Sequence, residues 1–428
     1  VYPPHSIFED IKLVTPGFDP RADLLEEPHF HFQFRDRERN RRNKDARVDW
    51  LATYHRLLCD AVSTSCADIR SPWLLQSGGK DSTTLPIAVA DARPDTTCIT
   101  YLGGREEDEV ASARTIARTL GLRHESLVCD PGRAYDRYVA IAGKMPLLTA
   151  DFALLSYVDL ATEIAANNGD GVMDGLGSDW YFGMLMQRQQ RFLAALSRGM
   201  RLPLPLSELP LIDRSFKLCF VLSSLEMTRV ERMFPGSRFS DAEVDELFGR
   251  KISDLSRARL GTFQSELSSA ENPHEWRGMV ASIAGGAAAF AKGLYTLSAL
   301  SMRAAYPFCD RRLREWVHRE LPQDLRVDLA QRRNKILVRQ HIATRFGDLP
   351  YVSKKGSFRF DLRGLARERF DQVHALALEV RDLLPGATHW LERNHRRLDN
   401  KYHASKFYLL AVVLPWITAR GDDARKHS

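Results

Sequence analysis

The sequence lacks any apolar run long enough to cross a bilayer: the longest, Phe407 to Ile417, is interrupted by Pro415 and covers only about half a span. No basic-then-apolar leader pattern opens it, so a cytoplasmic protein is expected. Its six cysteines (Cys59, Cys66, Cys98, Cys129, Cys219, Cys309) form no CxxC pair, and no histidine cluster has zinc spacing. That argues against a zinc module and a disulfide framework, and for free thiols in a reducing compartment. No internal repeat is visible. Charge of one sign is also missing: 61 basic and 55 acidic residues are interspersed, for a net charge of +6. Such a balance suits a local basic pocket for a polyanion and does not require nucleic acid. Two phosphate motifs are absent as well. A Walker A loop needs glycine where Leu74 stands and Ser or Thr where Asp81 stands, and no dinucleotide fingerprint is found.

What is present is a stretch from Trp73 to Ser82. Trp73, Leu74 and Leu75 read as a buried strand, Gly78 and Gly79 as a turn, and Leu85 to Ala92 as a helix. Strand, glycine turn and helix start make an anion site, because the glycines let backbone amides approach and the helix N-terminus adds partial positive charge. Ser77, Lys80, Ser82 and Thr83 add donors. Asp81 would repel a phosphate unless a cation lay between them, which suggests magnesium. The loop Ser77-Gly78-Gly79-Lys80-Asp81-Ser82 resembles the signature of the PP-loop ATP pyrophosphatases.

Around it, Val48–Cys66 has the spacing of an amphipathic helix, and Thr97–Leu102 and His124–Cys129 read as strands flanking a helix over Glu109–Leu120. Alternating strands and helices give a parallel sheet, with ligands outside the carboxyl ends of the strands. A helix over Ser156–Ala166 and a short strand Gly171–Asp174 lead to a second small-residue turn, Gly175-Leu176-Gly177-Ser178-Asp179. Two carboxylates, Asp81 and Asp179, are then expected to converge on a triphosphate through a metal ion. Beyond about residue 190 helical patterns dominate, including Asp241–Leu247, Ser282–Ala304 and Arg312–Glu320. Before residue 47 lie the alternating His29-Phe30-His31-Phe32, read as an edge strand, and the charged run Arg35–Arg47, read as an exposed arm.

With both turns in view, residues 47–420 resemble the synthetase domain of the class B asparagine synthetase and β-lactam synthetase family. The matching pieces follow in order: Ser77–Ser82, Asp108-Glu109, Gly175–Asp179 with Phe182-Gly183, Pro307-Phe308-Cys309-Asp310, Lys335–Arg339 and Lys354–Phe358. Residues 6–30 resemble the end of the glutaminase-like domain that precedes it in that family. The resemblance implies an α/β PP-loop sheet sandwiched by helices and a mainly helical C-terminal part. The corresponding divisions are an arm at 1–46, a nucleotide-binding domain at 47–195 and a substrate region at 196–428. It implies ATP and Mg²⁺. Ser77, Gly78, Gly79, Lys80, Asp81 and Ser82 would hold pyrophosphate, and Leu75, Tyr101, Leu102 and Gly175 the nucleotide. Asp81 and Asp179 match the metal-linked aspartates, Lys335 a lysine that stabilises charge on the reacting phosphate, and Arg339 and Lys355 secondary contacts.

Departures from the family bear on the substrate. Where the family carries glutamate or tyrosine to handle the amine, this chain has Leu176, which takes no proton, and Trp180 replaces an acidic residue. Asparagine synthesis is therefore not expected, and Asp174, two residues from Leu176 on a strand and hence on the same face, is the candidate base. No cysteine precedes Cys59, so the nitrogen is expected as an amine. The resulting expectation is an AMP-forming carbon–nitrogen ligase acting on a carboxylic acid and an amine in specialised biosynthesis. Alternatives are an ammonia-using subunit served by a separate glutaminase, a PP-loop tRNA-modifying enzyme and a non-catalytic scaffold.

Overall fold

A computed structural model describes residues 11, 18–21, 29–32, 48–103, 107–149, 151–182, 185, 212, 215–228, 231, 239–261, 263–270, 273–328, 330–347 and 360–426. The arm at 35–47, the boundary near 195 and the stretch 354–358 lie outside these residues. Strands β1 (Phe18–Arg21) and β2 (His29–Phe32) pair antiparallel, so the His-Phe alternation does form a strand.

Helix α1 (Trp50–Ser65) starts at Asp49, whose carboxylate caps the amides of Leu51 and Ala52. There follow β3 (Pro72–Leu75), α2 (Asp81–Ala92), β4 (Thr97–Leu102), α3 (Glu107–Thr119), β5 (Arg123–Val128), α4 (Pro131–Ala142), α5 (Leu154–Ala166), β6 (Gly171–Met173) and α6 (Ser178–Tyr181). Helix α4 is absent from the sequence reading. Its start was nonetheless encoded, since Asp130 accepts the Arg133 amide at 2.8 Å and Pro131 occupies the first turn. Then come α7 (Phe216–Glu226), α8 (Asp241–Phe248), α9 (Ser253–Gly261), α10 (Gln264–Ser268) and α11 (Pro273–Ala284). A π-helical turn at Gly285–Phe290 joins α11 to α12 (Ala291–Ala299).

The helix expected to run to Ala304 ends earlier, and Arg303–Ala305 is strand β7. It completes a five-stranded sheet of order β5-β4-β3-β6-β7 in which every neighbouring pair is parallel. The chain continues through α13 (Arg311–Arg319), α14 (Gln323–Arg326), the short antiparallel pair β8 (Val327–Asp328) and β9 (Arg333–Asn334), and α15 (Ile336–Phe346). Helices α16 (Leu362–Glu379), α17 (Ala387–Asn394) and α18 (Lys401–Lys426) end it.

Strand side chains alternate between two cores. Leu74 and Met173 join Tyr54, Leu58, Leu85, Trp316, Leu337 and Ile342 on the side covered by α1, α2, α13 and α15. Trp73, Leu75 and Val172 join Tyr157, Leu160 and Leu297 on the side covered by α5 and α12. The central strand is thus apolar throughout, as burial on both faces requires. A third core unites α4 and α5 with α16, α17 and α18 through Tyr138, Trp390, Phe407 and Tyr408. The α/β sandwich with a helical C-terminal part is therefore present, although its outermost strand comes from the later half of the chain.

Candidate active site

The loop between β3 and α2 is held largely by its own hydroxyls. Ser82 Oγ donates to the carbonyls of Ser77 and Gly79 at 2.7 and 3.0 Å, and Thr83 Oγ1 donates to Gly79 at 2.7 Å. Ser77 Oγ and Ser82 Oγ are 2.6 Å apart. The Gly78 amide donates to the buried carboxylate of Glu109 at 2.9 Å. Glu109 thereby occupies one of the amides expected to face phosphate. Lys80 stands at the N-cap of α2 in helical conformation.

The second turn folds onto this loop. A Cβ added at Gly175 would lie 3.9 Å from the carbonyl group of Asp81, so the two turns are in contact. Gly177 has φ +109°, a conformation open to glycine, and an added Cβ would meet Cys309 Sγ at 3.0 Å and Phe308 Cβ at 3.2 Å. This bend delivers Ser178 and Asp179 at the start of α6.

Lys335 joins the two turns. Its Nζ donates to Asp81 Oδ2, lies 2.5 Å from Asp179 Oδ1 and donates to Ser178 Oγ at 3.1 Å. The residue is 4% exposed. Burial works against its charge, but Asp81 and Asp179 outweigh that and raise its pKa above 10.5. Its backbone is left-handed, at φ +59°, which costs an L-residue roughly 1–2 kcal/mol. The Lys335 amide is fixed there by donating to the Arg326 carbonyl at 2.7 Å, and strain of this kind concentrates at functional sites. Arg339, one turn on, donates to the Asn334 carbonyl at 3.0 Å. Lys355 lies outside the described residues.

Asp81 Oδ1 is buried and accepts no hydrogen bond. Two carboxylates sharing one ammonium leave a net negative charge beside that oxygen, a donor set that fits Mg²⁺, which takes one or two protein carboxylates and completes its shell with phosphate and water. Among the described residues no group of three His, Cys, Asp or Glu side chains could hold a metal alone.

Leu75 is buried at the end of β3. Tyr101 and Leu102 end β4, but the Tyr101 hydroxyl points into the helix layer and donates to Asp159 at 3.3 Å, where Arg133 and Arg137 also bind. Asp174 does not belong to β6, which ends at Met173. The expectation that it shares a strand face with Leu176 is thus corrected: the Leu176 amide donates to Asp174 Oδ1 at 3.1 Å across a turn. Burial raises the Asp174 pKa, Asp151 adds to that, and Lys292 and the Leu176 amide act against it.

Several groups around Asp174 escaped the sequence reading. The hydroxyls of Tyr157 and Tyr306 are buried side by side, and a Cβ added at Gly293 would run into Tyr306 Oη and lie 3.0 Å from Tyr157 Oη. Lys292 donates to Asp151 Oδ2 at 3.3 Å close by. Arg277 donates to the Leu185 carbonyl and feels the charge of Asp179. Only the register of β6 against β7, which sets Met173 opposite Ala305, brings Asp174 and Tyr306 together.

Residues 53–384 match the family described as asparagine synthase. The chain belongs to that family. Membership makes it an ATP-utilising enzyme of the ligase type, and the family's enzymes generally use Mg²⁺ with ATP. No curated protein matches the sequence. Among solved structures it is similar to "Structure of NMN synthetase from Francisella tularensis", at 15% identity and a TM-score of 0.23, over 52% of this chain and 97% of that one, an overlap too slight to bear on function. Among the described residues no helix is long and apolar enough to cross a membrane, and none of the six cysteines is in a disulfide.

Proposed function

We propose that this family member is an AMP-forming ligase that activates a carboxylic acid with ATP and joins it to an amine in specialised biosynthesis. One observation carries the reading: Asp81 from the loop and Asp179 from the second turn meet at Lys335. The loop residues Ser77, Gly79, Lys80 and Ser82 face the pyrophosphate of ATP in this proposal, and Leu75, Tyr101, Leu102 and Gly175 border the nucleoside. Asp81 and Asp179 would hold Mg²⁺, which when bound neutralises the triphosphate and polarises it.

In the first step a substrate carboxylate oxygen attacks the α-phosphorus. Pyrophosphate leaves, and the acid is held as an acyl adenylate. Negative charge grows on both reactants, and a fixed ammonium at Lys335 lowers that barrier, with Arg339 and Lys355 as further cations. In the second step the amine nitrogen attacks the acyl carbon, the bond to the phosphate oxygen breaks, AMP departs and the amine proton passes to Asp174. Burial suits Asp174 to that task by making it more basic than an exposed carboxylate. Leu176 takes no proton, so asparagine formation is not the reaction proposed.

The test is a panel of carboxylic acids assayed for exchange of labelled pyrophosphate into ATP, followed by mass identification of the amide. Acid-dependent exchange with AMP as product supports the reading. ADP formation, or no exchange with any acid, contradicts it.

A further inference from the structure

Behind the loop, three residues along α2 from Asp81, one chain of hydrogen bonds links α1, α2 and α15 to the surface. Thr84 Oγ1 is 2.8 Å from His341 Nδ1, His341 Nε2 is 3.0 Å from His55 Nδ1, and His55 Nε2 is 3.2 Å from Asp91 Oδ2. Tyr54 Oη lies 3.3 Å from Thr84 Oγ1 at the inner end. Thr84 is on α2, which begins at Asp81, and His341 is on α15, which follows Lys335 directly. The Thr84–His341 bond is thus a second rung between the same two helices that the Asp81–Lys335 ion pair joins.

We propose that His341 is a positioning residue that holds the Lys335 helix onto the Asp81 helix, in the one tautomer that Asp91 dictates through His55. The polarity follows from donor counting. An ionised carboxylate only accepts, so a neutral His55 presents Nε2–H to Asp91 and is left with a bare Nδ1. His341 must then donate from Nε2 and accept at Nδ1 from the Thr84 hydroxyl, and Thr84 accepts from Tyr54. Every donor points toward Asp91. The opposite order would set the lone pair of His55 Nε2 against a carboxylate.

The neighbours permit this order. Burial pushes the Cys59 thiol up to about 11, with Asp91 and Asp60 adding to it, so it stays protonated; its one hydrogen goes to the Ala88 carbonyl, and its sulfur, 3.5 Å from His55 Nε2, is left to accept. Arg345 lies 3.8 Å from the other oxygen of Asp91. Burial, with help from His55, lowers the His341 pKa to about 4 against the pull of Asp91, so His341 is neutral and has a tautomer to fix. The ring of Tyr54 packs edge-on against His341 at 5.1 Å and leaves it little room to turn over. Only the catalytic consequence rests on the role given to Lys335.

Long-range ¹H–¹⁵N spectra of the labelled full chain near pH 7.5 read the tautomer directly. The expected result is Nε2–H for both His55 and His341, with Nδ1 of each unprotonated. An Nδ1–H tautomer at His341, or an average of the two, overturns the proposal. The second measurement is calorimetric affinity for MgATP. Thr84→Val, which removes the donor and orphans His341 Nδ1, should weaken binding about three- to tenfold, whereas Thr84→Ser should bind as the unmodified chain does. Equal affinity in the valine variant overturns the positioning role. If the unmodified chain binds no MgATP, the proposed function fails while the tautomer result still decides the polarity, and it also decides should the valine variant not fold.

Discussion

Lys335 Nζ lies 2.5 Å from Asp179 Oδ1 and at the same time contacts Asp81, so one ammonium from the later half of the chain bridges two turns from the first half. That relationship explains why the lysine is worth burying. Without it, two carboxylates would face each other across the groove, and Asp81 Oδ1 already lacks a partner.

Replacing Lys335 by Met should therefore act on chemistry more than on folding. Loss of a fixed cation at a site of developing charge is expected to lower the adenylation rate by about 10²–10³. The carboxylates left behind should make thermal stability depend on millimolar Mg²⁺ more steeply than in the unmodified chain, which a melting series with and without the metal would show.

Asp174→Asn separates the two half-reactions. Pyrophosphate exchange should persist, and amide formation should fall by about 10²–10⁴, the usual range for loss of a general base. In the unmodified enzyme the acidic limb of the amide-forming step should lie above the ordinary aspartate range, because burial raises this carboxyl, and the limb should vanish in the variant. An unchanged pH profile would remove Asp174 from the mechanism.

Gly177→Ala tests the bend that carries Asp179. With φ at +109° and two contacts at or below 3.2 Å awaiting the new Cβ, the variant should lose about 1–3 kcal/mol in urea unfolding. Its demand for Mg²⁺ in exchange should rise as Asp179 is displaced.

Far from the groove, Glu243 accepts from Lys406 at 2.6 Å, from Trp390 Nε1 at 2.9 Å and from the Ser240 amide at 2.7 Å inside the third core. Burial opposes the Glu243 charge, but Lys406 and these donors outweigh it and depress the carboxyl below 4.5. A depressed acid contributes stability that is present above its unfolded pKa and lost as pH falls through the folded one. Acid unfolding below pH 4.5 should thus be shallower in Glu243→Gln, measured as urea midpoint against pH. Glu243→Ala should cost about 3–5 kcal/mol by stranding a buried lysine.

The sequence made the nucleotide half legible because its signals are local. A strand of Trp73-Leu74-Leu75 buried on both faces, glycines at a strand end and the repeat of strand and helix need no distant information. Strand β7 is only Arg303-Ala304-Ala305, too short for periodicity to mark, and its assignment depends on the neighbouring β6. Helix α4 differs, since its Asp130-Pro131 start is a local cap signal legible in the sequence. In the candidate site, Asp81, Asp179 and Lys335, which the fold brings together, each sit in a motif. Tyr157, Tyr306, Lys292 and Arg277 carry no motif and reach the site only through packing, so single-sequence reasoning had no handle on them. Asp174 and Leu176 share no strand face because the chain turns one residue earlier than its apolar pattern implies.

The most direct test of the central claim is calorimetric titration of ATP into the unmodified chain and into Asp81→Asn and Asp179→Asn, each with and without Mg²⁺. Joint ownership of the metal-bound triphosphate predicts binding that requires Mg²⁺ and weakens at least about tenfold in either variant, a loss of roughly 1.4 kcal/mol. ATP binding of equal strength in all three proteins, indifferent to Mg²⁺, would contradict it.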